Sequence, residues 1–153
     1  MTCGWQWQAI IQGRPRPKGS WNAYRGRFVP SAALTEWTND AILQLRLTPN
    51  APLEPMTCPV TVEMVAHFPW PKRTPILRRG TTPYRTSQPD IDKLARAVLD
   101  VLVKAGVIAD DRQVVRLDAS KRWTDIAPST HLTVTADRDA WPECDLHSRN
   151  EGL

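Results

Sequence analysis

The chain has 153 residues, 41% hydrophobic and 24% charged, with a net charge of +4. That length is one domain's worth, enough to bury roughly two-thirds of the surface an unfolded chain exposes. The composition excludes collagen-like and wholly disordered chains, and no apolar run approaches the ~18 residues that cross a bilayer, so no membrane partner is expected.

The opening MTCGWQWQAI has neither a basic nor an apolar leader pattern. Cys3, Cys58 and Cys144 are odd in number and widely spaced, with no CxxC pair. This argues against a disulfide framework or a zinc site, and for an intracellular, cytoplasmic setting. Charge is unevenly spread: residues 1–87 hold 11 Lys/Arg against 4 Asp/Glu, and residues 88–153 hold 9 against 12. A basic half beside a carboxylate-rich half is what a phosphate-binding surface next to a metal site would show. Chance also produces such asymmetry in a small protein.

Trp5 to Gly13 reads as a strand closed by a glycine. Arg14 to Pro30 is a proline-rich basic loop carrying Arg14, Arg16, Lys18, Arg25 and Arg27, with room for a short hairpin around Arg25-Gly26-Arg27. Ser31 is a good N-cap for a helix over Ala32–Leu47, where Ala33, Leu34, Trp37, Ala41 and Leu45 recur at three- and four-residue steps. Pro49 and Pro52 end it. Pro59 to Phe68 alternates, with Val60, Val62, Met64 and Ala66 facing one way, which predicts a strand. Pro69 to Gln88 is a second basic, proline-rich loop, with Lys72, Arg73, Arg78, Arg79 and Arg85. Loops that long are more often functional or disordered than idle.

Ile91, Leu94, Ala95, Val98, Leu102 and Ala105 line one face of a helix that ends at Gly106, with Lys104 in its last turn where a cation suits the dipole. Arg112 to Trp123 predicts a strand with Val115, Leu117, Ala119 and Trp123 on one face, and Thr130 to Ala136 a final strand. From Asp137 onward there is no period. The order β-α-β-α-β-β predicts an α+β fold: one domain over 1–136 with a mixed β-sheet covered by two main helices, then a loose C-terminal tail over 137–153.

The chemistry concentrates in PDIDKLARAVLDVLVKAGVIADD, Pro89 to Asp111. Asp90 and Asp92 sit at the mouth of the helix, which Pro89 opens by biasing Gln88 toward extended geometry. Asp110 and Asp111 lie in the turn beyond its far end. A helix of ~14 residues is ~21 Å long, so these carboxylates meet only if the chain is carried back, for instance by an extended Val107–Ala109. Clustered carboxylates suit a divalent cation such as Mg²⁺, which would activate a water and stabilise charge on a phosphoryl centre. Arg96, four residues past Asp92, and Lys93, three before Arg96, lie on the same side and can address one phosphate. Structural readings stand beside these: Asp90 as a plain N-cap, Asp92 and Arg96 as a surface pair, Asp110-Asp111 as turn formers. Asp100 reads as a helix-surface residue. His67, His131 and His147 are scattered and suggest no nucleophilic triad.

PDIDKLARAVLDVL followed by DDRQVV, with GRPRPKG and RGRFVP upstream, resembles the RusA-type Holliday junction resolvases over roughly Gln8 to Ala136. The hallmark of that family, common in phages and prophages, is a P-D-x-D-N-L-x-K-A helix and a D-D-x-x-V turn. The resemblance implies a Mg²⁺-dependent endonuclease, with Mn²⁺ able to substitute, acting as a homodimer on four-way junctions and other branched DNA in the cytoplasm of a bacterium or phage-infected host. It assigns the metal-binding and catalytic carboxylates to Asp90, Asp92 and Asp111. It assigns the catalytic lysine to Arg96, which keeps the charge but does not readily shed a proton. Lys93 stands where the family usually has Asn. Two equivalent strands at a junction suit two chains about a two-fold axis, and Leu99 and Val103, off the main apolar face, serve either that interface or a wide core.

The expected phosphate contacts are Arg14, Arg16, Lys18, Arg25, Arg27, Lys72, Arg73, Arg85 and Lys93, with Trp21, Tyr24 or Tyr84 available to stack on a base or to pack. A DNA-binding protein that has lost catalysis is the main alternative, motivated by Arg96. A restriction-like nuclease, suggested by Pro89-Asp90, wants an acidic-x-Lys strand, and Asp118-Ala119-Ser120-Lys121 has one residue too many.

Overall fold

The computed structural model describes residues 4–19, 23–24, 27–79 and 83–136. Its elements are β1 (Trp5–Gln12), β2 (Ala23–Tyr24), β3 (Arg27–Phe28), α1 (Ala32–Leu47), β4 (Val60–Pro69), α2 (Ile91–Lys104), β5 (Val114–Thr124) and β6 (Ser129–Ala136), with 3-10 turns at Ile76–Arg78 and Asp111–Gln113. This is the expected α+β architecture, with β2 and β3 as the small hairpin anticipated around Arg25. The expected tail, 137–153, lies outside the described residues.

The main sheet has the order β1-β6-β4-β5. β6 is antiparallel to both β1 and β4, whereas β5 is parallel to β4, so the sheet is mixed. Alternation dictates which face is covered. Val60, Val62, Met64, Ala66 and Phe68 of β4 are all buried, as are Trp7, Ala9 and Ile11 of β1 and Leu132, Val134 and Ala136 of β6. They form one core with Leu34, Trp37, Ala41 and Leu45 of α1 and with Leu94, Val98, Val101 and Leu102 of α2. Leu99 and Val103 pack partly buried against that core. The other face of the sheet carries Gln6, Gln8, Glu63 and His131, all exposed.

Local chemistry sets the helix ends. Ser31 caps α1, its hydroxyl accepting from the Leu34 N–H at 3.2 Å. At the end of α2 the Val107 N–H reaches the Leu102 carbonyl and the Gly106 N–H the Val103 carbonyl, with Gly106 at φ +74°. This double bond with a left-handed residue is the Schellman stop that the sequence placed at Gly106.

Four expectations need correction. Val107–Ala109 does not return along α2: Val107 and Ile108 are buried, and this stretch pairs with Met56, whose N–H reaches the Val107 carbonyl and whose carbonyl accepts from Ala109. The return is made by β5, which starts at Val114 because Arg112 belongs to the preceding turn. Val115 and Leu117 do not pack inward but are 70% and 42% exposed: a register step puts Val114 rather than Val115 opposite Val60, and β5 is the edge strand of the sheet. Finally, Cys58 is 1% exposed and disulfide-bonded, which the odd cysteine count did not suggest.

Candidate active site

β4, α2 and β5 form a parallel strand–helix–strand unit, so α2 runs against both strands and its first turn lies near their carboxyl ends. Asp90 is the N-cap of α2 with extended backbone, but its side chain makes no cap hydrogen bond. The plain-cap reading therefore fails at the side chain. The carboxylate instead takes the Lys93 ammonium at 2.9 Å. That hydrogen bond, then the Lys93 charge, holds the Asp90 carboxyl below its ordinary range against a small cost of desolvation, with Lys121 helping. Lys93 is raised in return, by the Asp90 hydrogen bond and charge first and by Asp92 further, while Arg96 opposes the rise. Asp90, Asp92, Lys93 and Arg96 thus form one mixed-charge group at the positive end of the helix dipole. Asp92 and Arg96 are exposed there.

Lys121 completes this group and was not assigned to it from the sequence. Its Nζ donates to the carbonyls of Ser87 (2.9 Å) and Pro89 (2.8 Å), fixing the approach to Asp90; the Gln88–Pro89 bond between them is cis. The signal was present: Lys121 stands in phase with Leu117, Ala119 and Trp123, a cation on a face of β5 that is otherwise apolar. Asp118 has the opposite phase, so Asp118 and Lys121 lie on different faces of β5, against the restriction-like arrangement.

Arginines stack on aromatics beside this group. The Arg85 guanidinium lies 4.3 Å from the Phe68 ring centre and 4.9 Å from that of Trp123, and Arg14 lies 5.9 Å from Phe68. Arg85 also donates to the Gln88 carbonyl, while its Nε is buried without a partner. Burial first, and the Arg14 charge second, lower its pKa. The loop after β1 follows α2: the Lys18 N–H donates to the Lys93 carbonyl at 3.0 Å, and its ammonium reaches Asp100 at 3.3 Å. Asp100 also holds Lys104 at 2.9 Å; burial alone would raise its pKa, but the two lysines outweigh it and the carboxyl sits below its ordinary range.

The expected phosphate contacts therefore divide. Lys18, Lys93 and Arg85 are engaged within the protein. Arg14, Lys72 and Arg73 are exposed, and Arg16 is half-buried. The side chains of Arg25 and Arg27 lie outside the described residues. Of the aromatic candidates, Tyr84 is exposed with the Arg122 guanidinium 5.1 Å from its ring centre.

Asp111 is not brought to this group. It is the exposed first residue of the turn beyond the far end of α2, a 14-residue helix and so ~21 Å long. Its neighbour Asp110 has the structural role, accepting from the Arg112 side chain at 2.8 and 3.0 Å and from the Arg112 N–H at 2.9 Å. The side-chain bonds first, and the backbone bond second, lower Asp110 to about 2. Among the described residues, no three His, Cys, Asp or Glu side chains are grouped to hold a metal ion. A single chain therefore does not assemble the three-carboxylate set that the motif assigns to a divalent cation.

A protein-family model described as Endodeoxyribonuclease RusA matches residues 11–135, from the end of β1 almost to the end of β6. No curated protein matches the chain.

Proposed function

The chain belongs to the RusA endodeoxyribonuclease family, and from that membership we propose that it is a structure-selective endonuclease that resolves Holliday junctions and other branched DNA by paired symmetric nicks in the presence of Mg²⁺. Members of the family are endodeoxyribonucleases that depend on a divalent metal and act on branched DNA. One observation carries the reading to this chain: Asp90 and Asp92 stand at the mouth of α2 interleaved with Lys93 and Arg96, with Lys121 bonded to the residues just ahead of Asp90.

That group sets carboxylates, which can hold a divalent cation, beside cations, which can meet the charge of a phosphodiester, within the first two turns of one helix. Asp90 and Asp92 are the proposed metal-binding carboxylates, with Asp111 as the third. Arg96 takes the place of the family's lysine as an electrostatic stabiliser of charge on the phosphoryl oxygens, a role its permanent charge suits. Lys93 is held by Asp90 in the unbound chain, so a phosphate must compete for it. Arg14, Arg16, Lys72 and Arg73 supply sequence-independent backbone contacts that orient the DNA.

The test compares a four-way junction, a flap and a linear duplex with and without Mg²⁺. Cutting of the junction in symmetric strands, faster than the linear duplex and only with the metal, supports the proposal. Asp92→Asn is expected to bind junctions and not cut them, and robust cutting by that variant removes Asp92 from the assignment. A second reading is a branched-DNA-binding protein of the same fold with impaired catalysis. Arg96 in the lysine position favours it, and junction binding without product at any Mg²⁺ or Mn²⁺ concentration would establish it.

A further inference from the structure

His67 and His131 are far apart in the chain and adjacent in the fold. β4 and β6 pair antiparallel with Val65 opposite His131 and His67 opposite Ser129, so the two histidines are diagonal neighbours. Both point to the sheet face that no helix covers, because the residues of opposite phase, Ala66 and Phe68 of β4 and Leu132 of β6, fill the core. Their ring centres lie 4.6 Å apart, with the ring planes inclined at 60°. His131 is exposed and His67 half-buried. The Nδ1 of His67 is buried and has no hydrogen-bond partner, a cost that stands until something meets that nitrogen. Neither histidine takes part in the group around Asp90.

We propose that His67 and His131 form a two-imidazole site for a late divalent transition-metal ion, Ni²⁺, Cu²⁺ or Zn²⁺, that clasps β4 to β6 on the open face of the sheet. The site is separate from the Mg²⁺ site proposed at Asp90. Imidazole nitrogen suits these softer ions, whereas Mg²⁺ takes oxygen ligands and keeps its water. The spacing fits. Metal–nitrogen bonds of ~2.0–2.1 Å stand each ring centre ~3.2 Å from the ion, so two imidazoles in neighbouring coordination positions have ring centres about 4.5–5.2 Å apart. The observed 4.6 Å falls at the right-angled end of that range, the geometry of tetragonal Ni²⁺ and Cu²⁺. Bringing one nitrogen of each ring to a common point takes a turn of the rings, and His131 is exposed and free to turn. It also lines an open groove with Gln8, Ile10 and Thr133, through which an ion reaches it from solvent.

The surroundings set how tightly such an ion is held. Burial first, then the His131 and Arg122 charges, lower the pKa of His67, which favours the neutral imidazole that a metal takes. Arg122, level with His67 on β5, opposes a cation, but its guanidinium is stacked on Tyr84, 5.1 Å from the ring centre. Glu63, the diagonal neighbour of His131 on its other side, and Asp118, level with Glu63 on β5, return negative charge to the same face. Among the described residues no third His, Cys, Asp or Glu joins the pair, so solvent fills the remaining coordination positions and the ion exchanges readily. Both ligands stand together only in the folded sheet, so the ion stabilises the fold according to its occupancy.

Calorimetric titration of the full chain with Ni²⁺, in excess Mg²⁺ to occupy carboxylates, decides it without reference to DNA cutting. One Ni²⁺ is expected per chain. His131→Ala and His67→Gln are each expected to weaken binding about tenfold or more, since each removes one of two ligands, and His147→Ala to leave it unchanged. Ni²⁺ is also expected to raise the Tm of wild type and not that of His131→Ala. His131 is exposed, so His131→Ala keeps the fold, and an unchanged Tm without metal verifies this; the test stands on that variant even if His67→Gln does not fold. A wild-type chain that fails to saturate below about 1 mM Ni²⁺ overturns the proposal, as does binding that His131→Ala leaves intact. Weakening by His147→Ala as large as that by His131→Ala would move the site elsewhere and overturn it equally.

Discussion

Lys121 and Asp110 show how single side chains divide between positioning and framework. Lys121 reaches the Ser87 and Pro89 carbonyls across from β5 and so fixes the peptide that presents Asp90. A hydrogen bond from a charged donor contributes ~1.5–3 kcal/mol, and removing it frees the segment rather than the scaffold. We expect Lys121→Met to lower kcat on junctions about tenfold or more with the KM for DNA little changed, and Lys121→Arg to recover part of the loss. An equal fall in Lys121→Met and Lys121→Arg, matched by a fall in melting temperature, would assign Lys121 a purely structural role. Asp110 is the framework case. The Arg112 hydrogen bonds hold it at about 2 against an ordinary 3.8. The folded state binds this proton more weakly than the unfolded chain does, so its stabilising share is full above the ordinary value and is lost as pH falls toward about 2. Arg112→Ala is expected to return Asp110 toward 3.8, read by carboxyl NMR titration, leaving nuclease activity at neutral pH intact.

Among the elements, the helices were legible in full and β5 only as a strand, its surroundings being set by partnership. α1 over Ala32–Leu47 and the stop of α2 at Gly106 follow from local chemistry: a serine hydroxyl near an N–H, and a residue free to take φ +74°. The stop is testable on its own. A Cβ at Gly106 would meet only the Pro55 Cγ at 3.8 Å, an ordinary contact, so the cost of Gly106→Ala is that of the left-handed backbone. That is ~1 kcal/mol, a fall of about 3 °C in Tm for a domain of this size. Loss of less than a degree would mean that the helix end relaxes. In β5 the apolar alternation was read correctly from Leu117 on, but period alone does not reveal the register step before Arg116 or say whether a face has a layer over it. Leu117 has the phase of the core without the neighbours, because β5 is last in the sheet, whereas a register step puts Val114 opposite Val60 and leaves Val115 outside the pairing.

At the scale of the whole molecule, the acidic group was half legible. The motif put Asp90 and Asp92 at the mouth of the helix with Lys93 and Arg96 close behind, and the fold keeps these four within its first two turns. It also required Asp111 nearby, which sequence distance could not test, because the route of the chain after Gly106 depends on Met56, a residue 50 positions earlier. The basic loops divide in the same way. Composition identified the cations, but only the tertiary contacts separate those already paired from those left to bind phosphate. Lys18 spends its charge on Asp100, and Arg85 its surface on Phe68 and Trp123. Lys72 and Arg73 remain exposed on the loop after β4. Each cation that meets a DNA phosphate releases counterions, so affinity falls with salt in proportion to the number of such contacts. Replacing both Lys72 and Arg73 by Ala is therefore expected to weaken junction and linear duplex binding alike and to flatten the plot of log K against log salt by about 2. Lys18→Ala is expected to change that slope little while lowering Tm, because its partner is Asp100 rather than DNA. A full unit lost from the salt slope in Lys18→Ala would show that DNA draws Lys18 off Asp100 on binding, turning the Lys18–Asp100 pair from a fixed brace into a contact that the substrate breaks.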